Sequence, residues 1–153
     1  MRCKMRFGFW FIGLMALLAS SYYSWEAGYF EYLWKVDNSK LSFINLFIVF
    51  ASYSKLGYEI ATKGSNLKSR DLDPGYEAAG TTMDLGLLGT VIGFILMSTA
   101  LQGVDFSKIE NIKEMLTIAT SGMAVALYTT GSGIVSYLFL RLTHYFTDRS
   151  IKE

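Results

Sequence analysis

Charge, cysteine and histidine are all scarce in this chain of 153 residues. Only 18% of the residues are charged, against about 25% in a soluble domain of this length, and the charges stand in blocks between long uncharged runs. The lone Cys3 beside the basic N-terminus excludes an internal disulfide. The lone His144 has no metal-ligand cluster around it in sequence, and neither a nucleophile triad nor a phosphate-binding glycine loop is present. An enzyme and a resident cofactor are therefore not expected. A net charge of +1 gives no reason to expect a nucleic-acid partner.

What the chain has in quantity is apolar surface, 52% hydrophobic and 16% aromatic residues. The uncharged runs are Phe7–Trp25, Leu41–Ser54, Leu85–Val104 and Met115–Leu140. A helix crossing a bilayer needs about 20 apolar residues. Three runs reach that length alone. The second reaches it as a helix continuing through Lys55 and Glu59 to about Thr62, with Lys55 snorkelling toward the headgroups. The reading is an all-α membrane protein with four transmembrane helices in two hairpins. Residues 1–62 form the first hairpin, 63–82 a short connection holding the only proline, Pro74, and 83–153 the second hairpin with its tail.

Basic residues orient this arrangement. Arg2, Lys4, Arg6, Lys55, Lys63, Lys68, Arg70, Arg141, Arg149 and Lys152 all fall on one side of a four-span chain. The positive-inside rule places that side, with both termini and the connection, in the cytoplasm. A cleaved signal peptide is the rival reading of the first run, because Ala19, Ser20 and Ser21 follow an apolar stretch. It would leave three spans in the same orientation. Trp25, Tyr29, Phe30, Tyr32 and Trp34 of the outer loop suit a membrane–water interface. Ser107 and Glu110 match a capping box, and Ile109, Ile112, Met115 and Leu116 predict a short interfacial helix before the last span.

The third and fourth runs carry small residues where a lipid anchor would carry Leu, Ile and Val. Gly86, Thr90, Gly93, Met97 and Ala100 share one helix face, with Gly89 and Gly93 as a GxxxG pair. Ala119, Met123, Ala126, Thr130, Gly133 and Tyr137 share another, broadened by Thr129, Gly131 and Ser132. Such faces pack closely or line a path. The plainer alternative is that the threonines bond back to their own helix. Asp84 is placed at the start of the third span, as a path mouth or as an acid favourable to the helix dipole. Glu59 and Lys55 read as an i, i+4 pair, and His144 as an interfacial histidine rather than a proton relay.

LGLLGTVIGF followed by GMAVALYTTGSGIVSY resembles the MotA, TolQ and ExbB proton-channel family over roughly Met83–Phe146. By that resemblance Thr90 and Thr130, with Thr129 beside them, line an ion path. Gly86, Gly89, Gly93, Ala126 and Gly133 form its packed wall, and the third and fourth helices are long and ring-forming. The resemblance further implies a homopentamer in a bacterial inner membrane. It carries H+ or Na+ around two copies of a single-span MotB-, TolR- or ExbD-like partner. Two hairpins are similar to the MotA branch, but Lys63–Thr82 is too short for MotA's cytoplasmic insert, and Ser136-Tyr-Leu-Phe replaces the usual proline-containing sequence.

Proton-driven work needs an acid inside the membrane, and neither family-like run holds one. A partner's Asp must supply it, so the chain is read as a motor subunit that turns ion flow into partner rotation. A non-conducting pentameric scaffold and a small four-helix exporter are the alternatives.

Overall fold

The computed structural model describes residues 2–37, 40–102 and 109–152, without the side chains of 2–6, 9, 36, 65, 100, 109 and 110. The described residues are helical almost throughout, with no strand among them. Helix α1 runs Arg2–Glu26, α2 Tyr29–Val36, α3 Leu41–Lys63, α4 Asp73–Leu101 and α5 Ile109–Lys152. Short 3-10 turns at Gly64–Asn66 and Ser69–Leu72 join α3 to α4.

Among the described residues three helices, α3, α4 and α5, are long and apolar enough to cross a membrane. The four-span expectation is corrected on this point. Helix α1 is 25 residues long but is not among the three. Its far end is rich in Ser and Tyr.

Local signals explain where the chain turns. Gly28 between α1 and α2, and Gly64 closing α3, have φ of 72° and 51°, the left-handed region that glycine enters without a Cβ clash. Lys63 in the last turn of α3 and Asp73 in the first turn of α4 complement the helix dipoles. Pro74 stands in the first turn of α4, where its missing N–H is harmless. The connection expected over 63–82 is therefore mostly helix, with only residues 64–72 outside α3 and α4. Asp84 consequently lies well inside α4 rather than at its start, and the dipole argument belongs to Asp73.

The last helix departs from expectation in a similar way. Ile109, Ile112, Met115 and Leu116 do not form a separate interfacial helix, because α5 is continuous for 44 residues, about 66 Å at 1.5 Å per residue. The capping residue Ser107 and the side chain of Glu110 lie outside the described residues, as does the side chain of Ala100.

Helices α4 and α5 form an antiparallel pair, and the α1–α3 hairpin leans on one end of it. Val49 of α3 is buried with Ala79 and Leu140, and Ser42 near the start of α3 shares a cavity with Ser132. Helix α3 therefore covers the Asp73 half of α4. Beyond it α2 takes over, with the Tyr32 ring edge-on to Tyr128 at 5.6 Å. Past that level Val91, Phe94, Ile95 and Leu127 are exposed.

Candidate functional site

The small residues of α4 and α5 face each other. A Cβ on Gly133 would stand 2.8 Å from both Gly86 Cα and the Thr82 carbonyl, and a Cβ on Gly93 would stand 2.8 Å from the Gly122 carbonyl. Neither position has room for one more carbon. Gly89 lies beneath the Thr129 side chain, and Gly122 beneath Met97. Gly86, Gly89, Gly93, Gly122, Ala126 and Gly133 are all buried. The stripe read from sequence as a packing surface is thus used within one chain, holding α4 against α5.

The two threonines expected to work together meet in this seam. Thr90 Oγ1 and Thr130 Oγ1 are hydrogen-bonded to each other. Thr90 Oγ1 lies 3.2 Å from the Gly86 carbonyl and Thr130 Oγ1 3.3 Å from the same oxygen. Thr130 also reaches the Ala126 carbonyl of its own helix at 2.8 Å. Each hydroxyl has one proton and two lone pairs. Bonding to a carbonyl or to the other threonine uses the proton and leaves lone-pair capacity. The result is a knot of oxygens able to solvate a cation or pass a proton. It cannot store a proton, for it contains no acid. Both threonines are half-buried, at the edge of the seam rather than inside it.

Thr129 is different. It is fully buried, and its hydroxyl bonds to the Val125 and Ala126 carbonyls at 2.9 and 3.1 Å. Its methyl and hydroxyl fill the space above Gly89. In this chain it has no open face to offer an ion, so its visible work is packing, together with back-bonding to its own helix.

A scan against protein families matches the MotA/TolQ/ExbB proton channel family over residues 73–153, just over half of the chain. The chain belongs to that family. No curated protein and no solved structure matches it. The match begins at the first residue of α4 and includes all of α5, a longer stretch than the Met83–Phe146 resemblance. MotA/TolQ/ExbB proteins are proton-channel subunits and not enzymes, so this chain is read as a channel-type integral membrane protein and no enzyme.

Other ionisable candidates divide. Asp84 is exposed on α4. Lys55 and Glu59 form no ion pair with each other among the described residues, contrary to the i, i+4 reading. His144 is 2% exposed, well inside the helix packing. Its Nδ1 donates to the Leu140 carbonyl at 2.8 Å, and its Nε2 rests on Gly75.

Sequence reasoning missed Asn45 and Thr82. Both are completely buried, and neither the Asn45 amide nor the Ser42 hydroxyl has a hydrogen-bond partner among the described residues. The signal was available, since Asn45 is the one amide in the Leu41–Ser54 run. A polar group in such a run is rarely idle.

Proposed function

We propose that α4 and α5 form one wall of an ion path in a membrane motor subunit. Protons or sodium ions pass along the Thr90 and Thr130 hydroxyls, with the Gly86 carbonyl behind them and Asp84 toward the cytoplasmic mouth. The complete path is a homopentamer around two copies of a single-span partner of the MotB, TolR or ExbD kind. That partner contributes the membrane Asp, and ion flow becomes its rotation. In this reading the chain lies in a bacterial inner membrane, with the 64–72 connection on the cytoplasmic side.

The observation that carries the proposal is the meeting of two hydroxyls and a carbonyl at the edge of a seam with no acid in it. An oxygen-lined wall without a proton-storing group is half of a proton-coupled site. The other half has to come from a second protein.

Thr130→Val removes a hydroxyl while keeping shape. With the chain purified together with its partner and reconstituted in vesicles, this variant should retain the oligomer and lose ion flux. Thr129→Val should keep both, because its hydroxyl bonds only to its own helix. Full flux through an intact Thr130→Val oligomer would overturn the path and leave the non-conducting scaffold.

A further inference from the structure

A groove of about 260 Å³ lies between α3 and α4 at the end of the molecule where charges begin. Phe47, Ile48 and Ala51 line one end, Lys55 and Glu59 the other, and Gly75 and His144 form its floor. It shares no residue with the Thr90–Thr130 seam. Asp71 also reaches the groove, but its carboxylate is already engaged, by Lys63 at 2.7 Å and by the Lys68 N–H at 3.0 Å.

Lys55 and Glu59 are in the opposite situation. Neither makes a hydrogen bond or an ion pair among the described residues, and Glu59 feels the Lys63 ammonium, one turn further along α3, only at longer range. Lys55 and Glu59 stand one helical turn apart, the spacing at which oppositely charged side chains normally pair. Instead both line the groove. A cation and an anion held apart in this way match a ligand that carries both charges a short distance apart. The apolar lining continues from this charged end toward Phe47, along an uncharged stretch of α3. The ligand is therefore amphiphilic, with its polar head at Lys55 and Glu59 and its hydrocarbon alongside Phe47, Ile48 and Ala51.

We propose that the groove binds a phospholipid with a primary ammonium, phosphatidylethanolamine. Its phosphate accepts from the Lys55 ammonium, and its own ammonium donates to the Glu59 carboxylate. Phosphatidylglycerol would satisfy Lys55 through its phosphate but would leave Glu59 without a cation. A choline headgroup would bring positive charge to Glu59 without N–H donors, losing the charge-assisted hydrogen bonds that are the stronger kind.

The test is lipid retention by the full-length chain, purified in detergent, delipidated and read by native mass spectrometry. Phosphatidylethanolamine, its N-methyl and N,N-dimethyl forms, phosphatidylcholine and phosphatidylglycerol are offered in turn. Retention should fall stepwise as methyl groups replace N–H donors, and phosphatidylglycerol should be held least. Glu59→Gln and Lys55→Gln should each weaken phosphatidylethanolamine retention about tenfold, the effect of one charge-assisted hydrogen bond. Lys113→Gln, outside the groove, should leave it unchanged. Equal retention of the ethanolamine and choline lipids, or preference for phosphatidylglycerol, would overturn the proposal. So would unchanged binding in both groove variants. The methylation series needs no variant, so it decides even if a substitution prevents folding. A cross-link from Ala51→Cys to a second copy would show the groove filled by protein and would also overturn it.

Discussion

Two helix pairs in this molecule use glycine, and they use it for different ends. Along α4–α5, Gly86, Gly93 and Gly133 face backbone, while Gly75 and Gly89 face the His144 and Thr129 side chains. Gly133 lies against Gly86 and Thr82, and Gly93 against Gly122, so the two main chains run in contact over several turns. At the α1–α3 crossing each glycine faces an aromatic ring. Trp10 lies over Gly57 and Tyr53 over Gly13. Trp10 Nε1 donates to the Tyr53 carbonyl at 3.1 Å, the Tyr53 hydroxyl donates to the Trp10 carbonyl at 2.7 Å, and the rings stack at 5.9 Å. The first pair is a seam and the second a single clasp. A seam of backbone contacts holds two hydroxyls in fixed register, which an ion path needs. A clasp needs only to hold a hairpin together, and a ring can swing where a main chain cannot.

That contrast can be broken experimentally, starting where the effect is largest. Gly133→Ala adds a carbon against two backbone atoms and should destabilise the α4–α5 pair by about 1–3 kcal/mol, the usual range for overpacking. Thermal unfolding in detergent should show it, together with loss of the oligomer. An unchanged midpoint would mean that the seam is looser than its geometry. Tyr53→Phe keeps the ring on Gly13 and removes one hydrogen bond, so about 1 kcal/mol should be lost. Combining it with Trp10→Phe should give less than the sum, because the two bonds share one crossing. Strict additivity would argue against a clasp. Gly131→Ala should do least. It is a glycine of the same small-residue motif of α5, but nothing lies within 4 Å of its added Cβ. A change within about 0.5 kcal/mol is expected for such an exposed position, and a large loss there would place another subunit against it.

Much of this was legible in the residues. The uncharged runs marked the apolar lengths of α3, α4 and α5, since a membrane helix announces itself by composition over about 20 residues. Thr90 and Thr130 could be paired because each stands amid small residues at helical spacing, and the structure brings their hydroxyls together. The start of α4 was not legible. Pro74-Gly75 reads as a break in a connection, yet proline is equally at home in a helix's first turn. Only the packing of Gly75 under His144 and of Leu72 with Leu56, Ile60 and Leu67 distinguishes the two. Thr129 and Thr130 are adjacent and chemically identical, so no pattern separated the packing residue from the half-exposed one. Lys55 and Glu59 had pairing geometry by spacing alone, yet both line the groove and form no ion pair with each other among the described residues.

The sequence by itself determined the class of this protein. Uncharged runs, small-residue faces and the absence of a membrane acid follow from residue types and short spacings, which need no third dimension. The Thr129–Thr130 distinction, the offset of α3 along α4–α5 and the groove at Lys55 and Glu59 were decided only by the tertiary structure. Each depends on which way a helix is rotated against its neighbours. A rotation of about 100° separates consecutive residues on a helix of 3.6 residues per turn, and close contacts such as Gly86 against Gly133 set that angle.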